Sequence, residues 1–529
     1  MQADARDGEG ARRPDLEEVL ARQALTRDEA RPEAVERRRG AGRRTARENV
    51  DDLVDPGSFV EYGALAIAAQ RQRRDVQELL ERTPADGLIA GTARVNSELF
   101  GERSACAVLS YDYAVLAGTQ GMIGHRKKDR LFDVIERMRL PTVFFAEGGG
   151  GRPGDTDMEV VSALETRAFA LWARLSGLVP RIAIVSGHCF AGNAAIAGCS
   201  DLIVATEDAN LGMGGPAMIE GGGLGSVGPE EIGPIDVQAA NGVVDVRVGS
   251  EAEAVEVAKR LLSCFQGELP EARVSAPDQS ALRDVVPERR RRAYDVHPVV
   301  ELLADAGSVT FLRDGFAPEM VTALARIDGR AVGIVANNPI RLAGAITSDG
   351  ADKAARLMQL CDAFGLPVVS LIDTPGMMVG PDAEATALVR RCSRLFVAGA
   401  SLRVPLVAVI LRKAYGLGAQ AMAGGSLHEP LLTVGWPTAE LGPMGLEGAV
   451  RLGFRRELDQ ITDTEERERR VQDLTAAAHE RARALNAATL FELDDVIDPV
   501  ETRRLVSSTL AAAAQRPDAP QRPRFVDTW

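Results

Sequence analysis

Two short turns in this sequence have the composition of a backbone anion site. One is Gly187-His188-Cys189-Phe190-Ala191-Gly192; the other is Ala414-Tyr415-Gly416-Leu417-Gly418-Ala419. An apolar run leads into each turn and small residues lead out, so each reads as a strand passing into a helix. Small residues let amide N–H groups approach a ligand closely. A helix start leaves its first N–H groups without internal acceptors, at the positive end of the dipole. Two such donors aimed at one oxygen suit a thioester carbonyl as it becomes an enolate. Close packing of a helix on a strand asks for the same small residues, so one turn alone decides nothing. A second copy points to an enzyme that holds two carbonyl compounds and passes a group between them.

Other chemistries lack their residues. No Gly-x-Ser-x-Gly elbow occurs, and Glu147-Gly-Gly-Gly-Gly-Arg-Pro-Gly-Asp155 lacks the Gly-Lys-Ser/Thr ending of a phosphate loop. The six cysteines form no Cys-x-x-Cys pair and the five histidines have no metal-ligand spacing. The expectation is no metal site, with reduced, buried thiols as in a cytoplasmic protein.

The elements that carry these turns occur twice. Leu140 opens "LPTVFFAEGGGGRPGD" and Leu366 opens "LPVVSLIDTPGMMVGPD"; each is a proline, a β-type apolar run, an acid and a glycine turn. Helical spacing follows over Val160 to Leu178 and over Glu384 to Arg403. Then come "VPRIAIVSGHCFAG" from Val179 and "VPLVAVILRKAYGLG" from Val404. The prolines lie 180 − 141 = 39 and 405 − 367 = 38 residues apart. Matched motifs at matched spacing predict a duplicated α/β domain with parallel strand pairs. The polar, proline-containing stretch from Gln266 to Arg292 reads as the join. Its basic end, Arg289 to Arg292, is a solvated face or an edge that holds a CoA phosphate.

The chain has 529 residues and a formal net charge of −14, an acidic balance unsuited to general nucleic-acid binding. No apolar run is long enough to span a bilayer. Residues 1–44 form a charged leader without an apolar signal core, and its acids argue against a mitochondrial address. A cytoplasmic protein without a membrane partner is expected.

Longer segments then resemble a known family. "TARENVDDLVDPGSFVEYG" (Thr45 to Gly63), "YDVHPVVELLADAGSVTFLRDGFAPEMVTALARIDGRAVGIVANNP" (Tyr294 to Pro339), "GADKAARLMQLCDAFGLPVVSLIDTPG" (Gly350 to Gly376), "LRKAYGLGAQAM" (Leu411 to Met422) and "WPTAELGPMGLEGAV" (Trp436 to Val450) are similar, in order and spacing, to the carboxyltransferase β subunits of biotin-dependent acyl-CoA carboxylases. The resemblance runs from about Thr45 to about Leu505. It implies an α/β fold made of a tandem duplication of a crotonase (ClpP/crotonase-like) β-β-α superhelical domain. Residues 45–270 would take the acyl-CoA and residues 285–515 the biotin side.

Carried over by position, the resemblance places the thioester enolate on the amides of Ala191 and Gly192. It places the biotin ureido oxygen on those of Leu417 and Gly418. Gly149, Gly150, Gly151 and Arg152 would line the acyl-CoA; Arg152 would position it or fix its own turn. Thr374, Pro375, Gly376 and Tyr415 would line the biotin side. Carboxybiotin would arrive on a carrier belonging to another chain, since no Met-Lys-Met segment and no ATP-grasp half occur. The implied partners are a biotin carboxylase and biotin carrier, an acyl-CoA substrate, and further copies of this chain in a hexamer.

The family's Asp-Ser-Gly-Gly-Ala-Arg turn is here Glu147-Gly148-Gly149-Gly150-Gly151-Arg152, and His188 stands where relatives carry a small residue. Three alternatives stay open: a decarboxylase subunit, a non-catalytic structural subunit, and a biotin-independent crotonase-like enzyme using Glu207 or Asp208. The missing carrier segment predicts that the purified chain, co-expressed with a biotin ligase, gives no band on an avidin blot; a positive band would contradict this reading.

Overall fold

The computed structural model describes residues 13–152, 154–157, 164–290, 292–513 and 526–529. Its first half carries strands β1 (Val60–Glu61), β2 (Leu88–Arg94), β3 (Ala105–Tyr111), β4 (Thr142–Phe145), β5 (Arg181–Val185), β6 (His188–Phe190), β7 (Leu202–Thr206), β8 (Asn210–Gly212) and β9 (Val246–Val248). Seven of them form one sheet in the order β1-β2-β3-β4-β5-β7-β9, and β6 pairs with β8 apart from it. The β1–β2 and β2–β3 pairs are antiparallel, and every later pair is parallel. The parallel strands are covered on both faces, which is why β4, β5 and β7 are apolar without alternation.

The second half repeats this plan. Its strands are β10 (Thr310–Leu312), β11 (Met320–Ile327), β12 (Arg330–Asn337), β13 (Val368–Thr374), β14 (Leu406–Tyr415), β15 (Leu432–Gly435), β16 (Glu440–Gly442) and β17 (Asp495–Val496). They lie in the order β10-β11-β12-β13-β14-β15-β17, with β16 paired to the end of β14. Here β14 runs unbroken where the first half has β5 and β6. The break between those two falls at Gly187, whose φ is +64°.

The repeat is finer than the glycine turns suggest. Leu116-Ala117-Gly118 and Leu342-Ala343-Gly344 are the same tripeptide, 342 − 116 = 226 residues apart. All six residues have left-handed φ: 49°, 53° and 64° in the first copy, 46°, 55° and 80° in the second. Such a backbone costs roughly 1–2 kcal/mol for each non-glycine residue. It is kept in both halves because it brings the glycine onto the end of the next strand. A β-carbon on Gly118 would lie 2.7 Å from the Glu147 carbonyl oxygen, and one on Gly344 would lie 2.3 Å from that of Asp373. A 17-residue helix follows each copy, Met122–Met138 and Ser348–Phe364.

The expected helix after Leu140's motif is Ala168–Arg174 within the described residues; residues 160–163 of that expectation lie outside them. Its counterpart is Leu388–Ala400, shorter than the spacing suggested because Ala387 enters it with φ +61°. The charged leader packs as helices Pro14–Ala24 and Pro32–Gly40, each with proline in its first turn. Arg31 pairs with Asp112 at 2.7 Å and Arg43 with Asp208 at 2.9 Å.

The stretch read as a join is ordered against the second half where described. Leu269 N donates to Gly329 O at 3.0 Å, Ala306 N donates to Ser275 O at 2.7 Å, and Leu282 is buried with Tyr294 and Val296 in the second-half core. The halves share a core as well, through Phe265 on Phe364 at 5.4 Å, Arg313 to Asp245 at 2.9 Å, and Arg356 Nη2 donating to Asp201 O at 2.7 Å. All six cysteines are free. Among the described residues no helix is long and apolar enough to cross a membrane.

His297 ties this half together near β10, with Nδ1 2.5 Å from Asp295 Oδ1 and Nε2 2.8 Å from Asp314 Oδ1. The Asp314 and Asp295 carboxylates hold the imidazole up at about 9, against the cost of burial. A histidine raised on folding gives its full stabilisation below its unfolded value, near 6.5, and loses it as pH rises through about 9. Thermal melts should therefore fall between about pH 7 and 9 in the parent protein, and His297→Gln should flatten that fall.

Candidate active site

In each half, the turn after the fourth apolar segment meets the start of a small-residue helix. In the first half, a β-carbon on Gly150 would sit 2.7 Å from the Ala191 Cβ and 3.5 Å from the Gly192 nitrogen. In the second, a β-carbon on Gly418 would sit 2.7 Å from the Gly376 Cα. Glycine is required on one side of each contact for that reason. The turns are then pinned to the left-handed tripeptides: Gln120 N donates to Gly150 O at 2.6 Å and Arg152 N to Gln120 O at 3.0 Å. Equivalently, Ile346 N donates to Gly376 O at 3.0 Å and Met378 N to Ile346 O at 2.8 Å.

The strand pairing sets the equivalence of the two turns. His188 pairs with Asn210 and Phe190 with Gly212, as Lys413 pairs with Glu440 and Tyr415 with Gly442. The counterpart of Ala191 is therefore Gly416, and both have left-handed φ, 51° and 55°. The Ala191 amide is already spent on Gly212 O at 3.1 Å. The amides equivalent to those of Leu417 and Gly418 are those of Gly192 and Asn193, one residue further on. None of these four has an acceptor among the described residues. Sequence matching placed the glycines opposite one another; the ladder places the backbones so.

The other expected residues divide between lining and bracing. Gly149 and Gly151 are exposed at the turn, and Gly150 is buried against the helix start. Arg152 braces its turn. Its buried guanidinium pairs with Asp86 and, at 3.6 Å, with Asp155, and donates to Thr119 Oγ1 at 3.2 Å and Thr119 O at 3.0 Å. Thr374 is buried and its Oγ1 accepts from Gly376 N at 3.1 Å, Pro375 is half-buried beside it, and Leu417 is exposed. Tyr415 donates its hydroxyl to Glu440 Oε2 at 3.0 Å, and burial pushes it well above the usual phenol range. His188 stacks on Phe190 at 5.8 Å. Glu207 and Asp208 pair with Arg247 and Arg43 at 3.3 and 2.9 Å. Arg290, from the basic run, pairs with Glu440 at 2.9 Å and shares a cleft of about 680 Å³ with Lys413, Tyr415 and His479; Arg291 lies outside the described residues.

The sequence reading noted an acid in each motif but not what holds it. Glu147 and Asp373 are equivalent buried acids, 373 − 147 = 226 residues apart. Arg38, from the leader, grips Glu147 with two bonds of 2.9 Å and lies over the Tyr113 ring at 5.5 Å. In the second half Arg412 reaches Asp373 at 3.1 Å and lies over the Tyr294 ring at 5.0 Å, with Lys413 at 2.6 Å from the same acid. The repeated Leu-Ala-Gly sits a constant distance before each acid; the Arg38 contact has no sequence signal.

Burial pushes the Glu147 carboxyl up to about 7, with Glu251 adding to the push and Arg38 opposing it. Removing one member of a buried pair strands the other, at a cost of about 3–5 kcal/mol. Arg38→Met should therefore lower stability by about that amount in denaturant melts. Arg38→Met combined with Glu147→Gln should recover part of it.

With this geometry in place, comparison with known proteins is informative. Residues 37–525 match the family model described as the carboxyl transferase domain. The chain is 32% identical over 495 residues to the methylmalonyl-CoA carboxyltransferase 12S subunit of Propionibacterium freudenreichii subsp. shermanii, covering 91% of each. It is 33% identical over 455 residues to the biotin-dependent long chain acyl-coenzyme A carboxylase beta4 subunit of Mycobacterium tuberculosis, covering 83% of each. The transcarboxylase 12S crystal structure, a hexamer with methylmalonyl-coenzyme A and methylmalonic acid bound, superposes with a TM-score of 0.83 at 29% identity, over 98% of this chain and 99% of that one. A single-chain, multi-domain long-chain acyl-CoA carboxylase gives 0.90 at 57% identity over 94% of this chain. This chain spans about half of that protein, 49% of its length. Each half is a crotonase-type fold, and the chain belongs to the carboxyl transferase family.

Proposed function

We propose that this carboxyltransferase moves a carboxyl group between biotin and an acyl-CoA thioester, as a component of a biotin-dependent acyl-CoA carboxylase. The observation that carries the reading is the pair of equivalent sites, each a glycine turn against a helix start with two amides lacking a described acceptor. The thioester oxygen takes the amides of Gly192 and Asn193, and the glycine turn over Gly149–Gly151 lines the acyl-CoA. The second-half site suits biotin: Leu417 and Gly418 offer two N–H donors to the ureido oxygen, which takes up charge as the carboxyl group leaves, and the acid beneath them is already paired with Arg412 and Lys413. Carboxybiotin supplies the carboxyl group and, after its release, the base for the α-proton. The work left to this chain is to polarise both oxygens, hold the two ligands in register and exclude water. Donors fixed before the reaction cost no reorganisation when charge develops, and each is worth about 2.7–4 kcal/mol.

The reaction needs a biotin carrier and a biotin carboxylase as partners of these residues. The 57% identity to a long-chain carboxylase makes long-chain acyl-CoA the first substrate class to test. Exposed Met213, Met218 and Leu224 follow β8 directly and form an apolar edge suited to another copy of the chain, consistent with an assembly such as a hexamer.

The test is the reverse reaction. Free biotin, or a biotinylated carrier protein, should accelerate loss of the carboxylate from malonyl-CoA or methylmalonyl-CoA by the purified chain. Leu417→Pro removes one N–H at an exposed first-turn position that tolerates proline. It should lower kcat by about 100-fold with the fold intact. No acceleration by either form of biotin would overturn the reading.

A further inference from the structure

The two halves share a backbone but differ sharply in what stands behind it. Behind the first hole lies Lys128, fully buried in the helix Met122–Met138. Its Nζ donates to Tyr111 Oη at 2.9 Å and to Gln120 Oε1. Gln120 Nε2 donates to Asn193 Oδ1 at 2.8 Å, and Asn193 Nδ2 donates to Glu147 O at 2.9 Å and Gly118 O at 3.2 Å. One chain of hydrogen bonds thus links a buried ammonium to the residue whose amide faces the hole, and to both segments that carry the glycine turn. Gln120 Nε2 lies 2.9 Å, and Phe169 Cζ 3.1 Å, from where a β-carbon on Gly192 would be. Lys128 Nζ is 5.9 Å from the centre of the same Phe169 ring, so the charge sits close behind the hole.

None of this exists in the second half. The 226-residue offset replaces Tyr111, Gln120 and Lys128 by Asn337, Ile346 and Ala354, and the strand register replaces Asn193 by Gly418. By contrast the neighbouring Lys127 and Lys353 match, and both simply cap backbone carbonyls: those of Ala85 and Leu88 in one half, that of Phe316 in the other. Among the described residues Lys128 has no carboxylate at ion-pair distance, unlike the paired arginines nearby. A buried cation held by neutral acceptors alone is costly, and one of the two holes carries that cost.

We propose that Lys128 is a positioning residue for the first hole: through Gln120 and Asn193 it fixes the hole amides and sets a positive charge behind them. The inference rests on the carboxyltransferase reading and deepens it. A cation close behind the donors strengthens their hold on an oxygen that becomes an enolate.

The ammonium must be charged to act this way. Burial pushes it down to about 7, opposed by Asp129 on its own helix and Asp86 before β2. The other titratable groups around it are Tyr111 on β3, His125 on its own helix and Arg152 on the glycine turn. His125 is held down to about 3 by burial, Lys128 and Arg152, and is neutral throughout. The hole should therefore weaken as pH rises through and beyond about 7.

The closing experiment needs no biotin. Propionyl-CoA and palmitoyl-CoA, labelled with 13C at the thioester carbonyl, are bound to the protein and the carbonyl stretch is followed by vibrational difference spectroscopy from pH 6 to 10. The parent protein should shift the stretch to lower frequency, and the shift should decline with rising pH. In Lys128→Met the shift should be small and independent of pH, with the dissociation constant changed by less than about 3-fold. Tyr111→Phe, which removes one acceptor of the ammonium, should move the midpoint to lower pH; it serves as the test if Lys128→Met does not fold. In the biotin-dependent reverse reaction Lys128→Met should lower kcat roughly 10- to 100-fold and leave KM within about 3-fold. A parent shift that Lys128→Met reproduces at every pH overturns the role of Lys128 while leaving the carboxyltransferase reading intact. Failure of the parent protein to bind either thioester overturns both.

Discussion

Each half of this protein is organised around a buried acid at the end of its fourth apolar segment. Glu147 and Asp373 occupy equivalent places, and the left-handed tripeptide before each is packed against the acid's own carbonyl oxygen. The glycine turn that follows can reach the helix start only if this carbonyl and the carboxylate beside it are held. Neither can be held cheaply, because a buried carboxylate must find a cation or lose its charge. The two halves solve the same problem with different parts of the chain. The second uses Arg412 and Lys413, consecutive residues of β14. The first breaks the corresponding strand at Gly187, where a β-carbon would lie 2.4 Å from Glu147 Oε1, and brings in Arg38 from the N-terminal helices.

That difference makes residues 13–44 part of the catalytic domain's architecture. Arg31, Arg38 and Arg43 each reach an acid on a different loop of the first half. Thr45 and Glu48 then close a capping box that starts the next helix, with bonds of 3.0 and 2.7 Å. The family match, which begins at residue 37, includes Arg38. The segment between the halves is likewise built in: Arg412 Nη1 donates to the carbonyls of Arg290 and Arg292 at 3.2 and 2.8 Å. The arginine that neutralises Asp373 thus also fastens the incoming chain.

Duplication supplies two turns of similar backbone geometry, and divergence gives them different surroundings. The backbone geometry is shared, since it comes from left-handed turns and glycine contacts that tolerate little change. The side chains behind it are free to differ. The first site has acquired amide groups and a buried lysine, and the second has Ile346, Ala354 and Gly418 in their place.

The duplicated α/β plan and the paired glycine turns were legible in the residues alone, and the resemblance of longer segments added carboxyl transfer. Proline, glycine and apolar runs report backbone conformation locally, and two copies at one spacing reinforce each other. The one-residue slip at the first hole shows where local reading ends. Matching Gly192 to Gly418 is sound by residue type, yet the Gly212 carbonyl occupies the Ala191 amide, which leaves the amides of Gly192 and Asn193 as the counterparts of those of Leu417 and Gly418. Arg152 was a candidate for positioning substrate or for fixing its own turn, and its partners Asp86, Thr119 and Asp155 favour the second. Arg38 and Lys128 could not have been chosen from sequence, where each is one basic residue in a charged stretch. Their significance comes from which carboxylate or amide lies opposite, 109 residues away for Arg38 and Glu147, and only the folded chain brings such groups together.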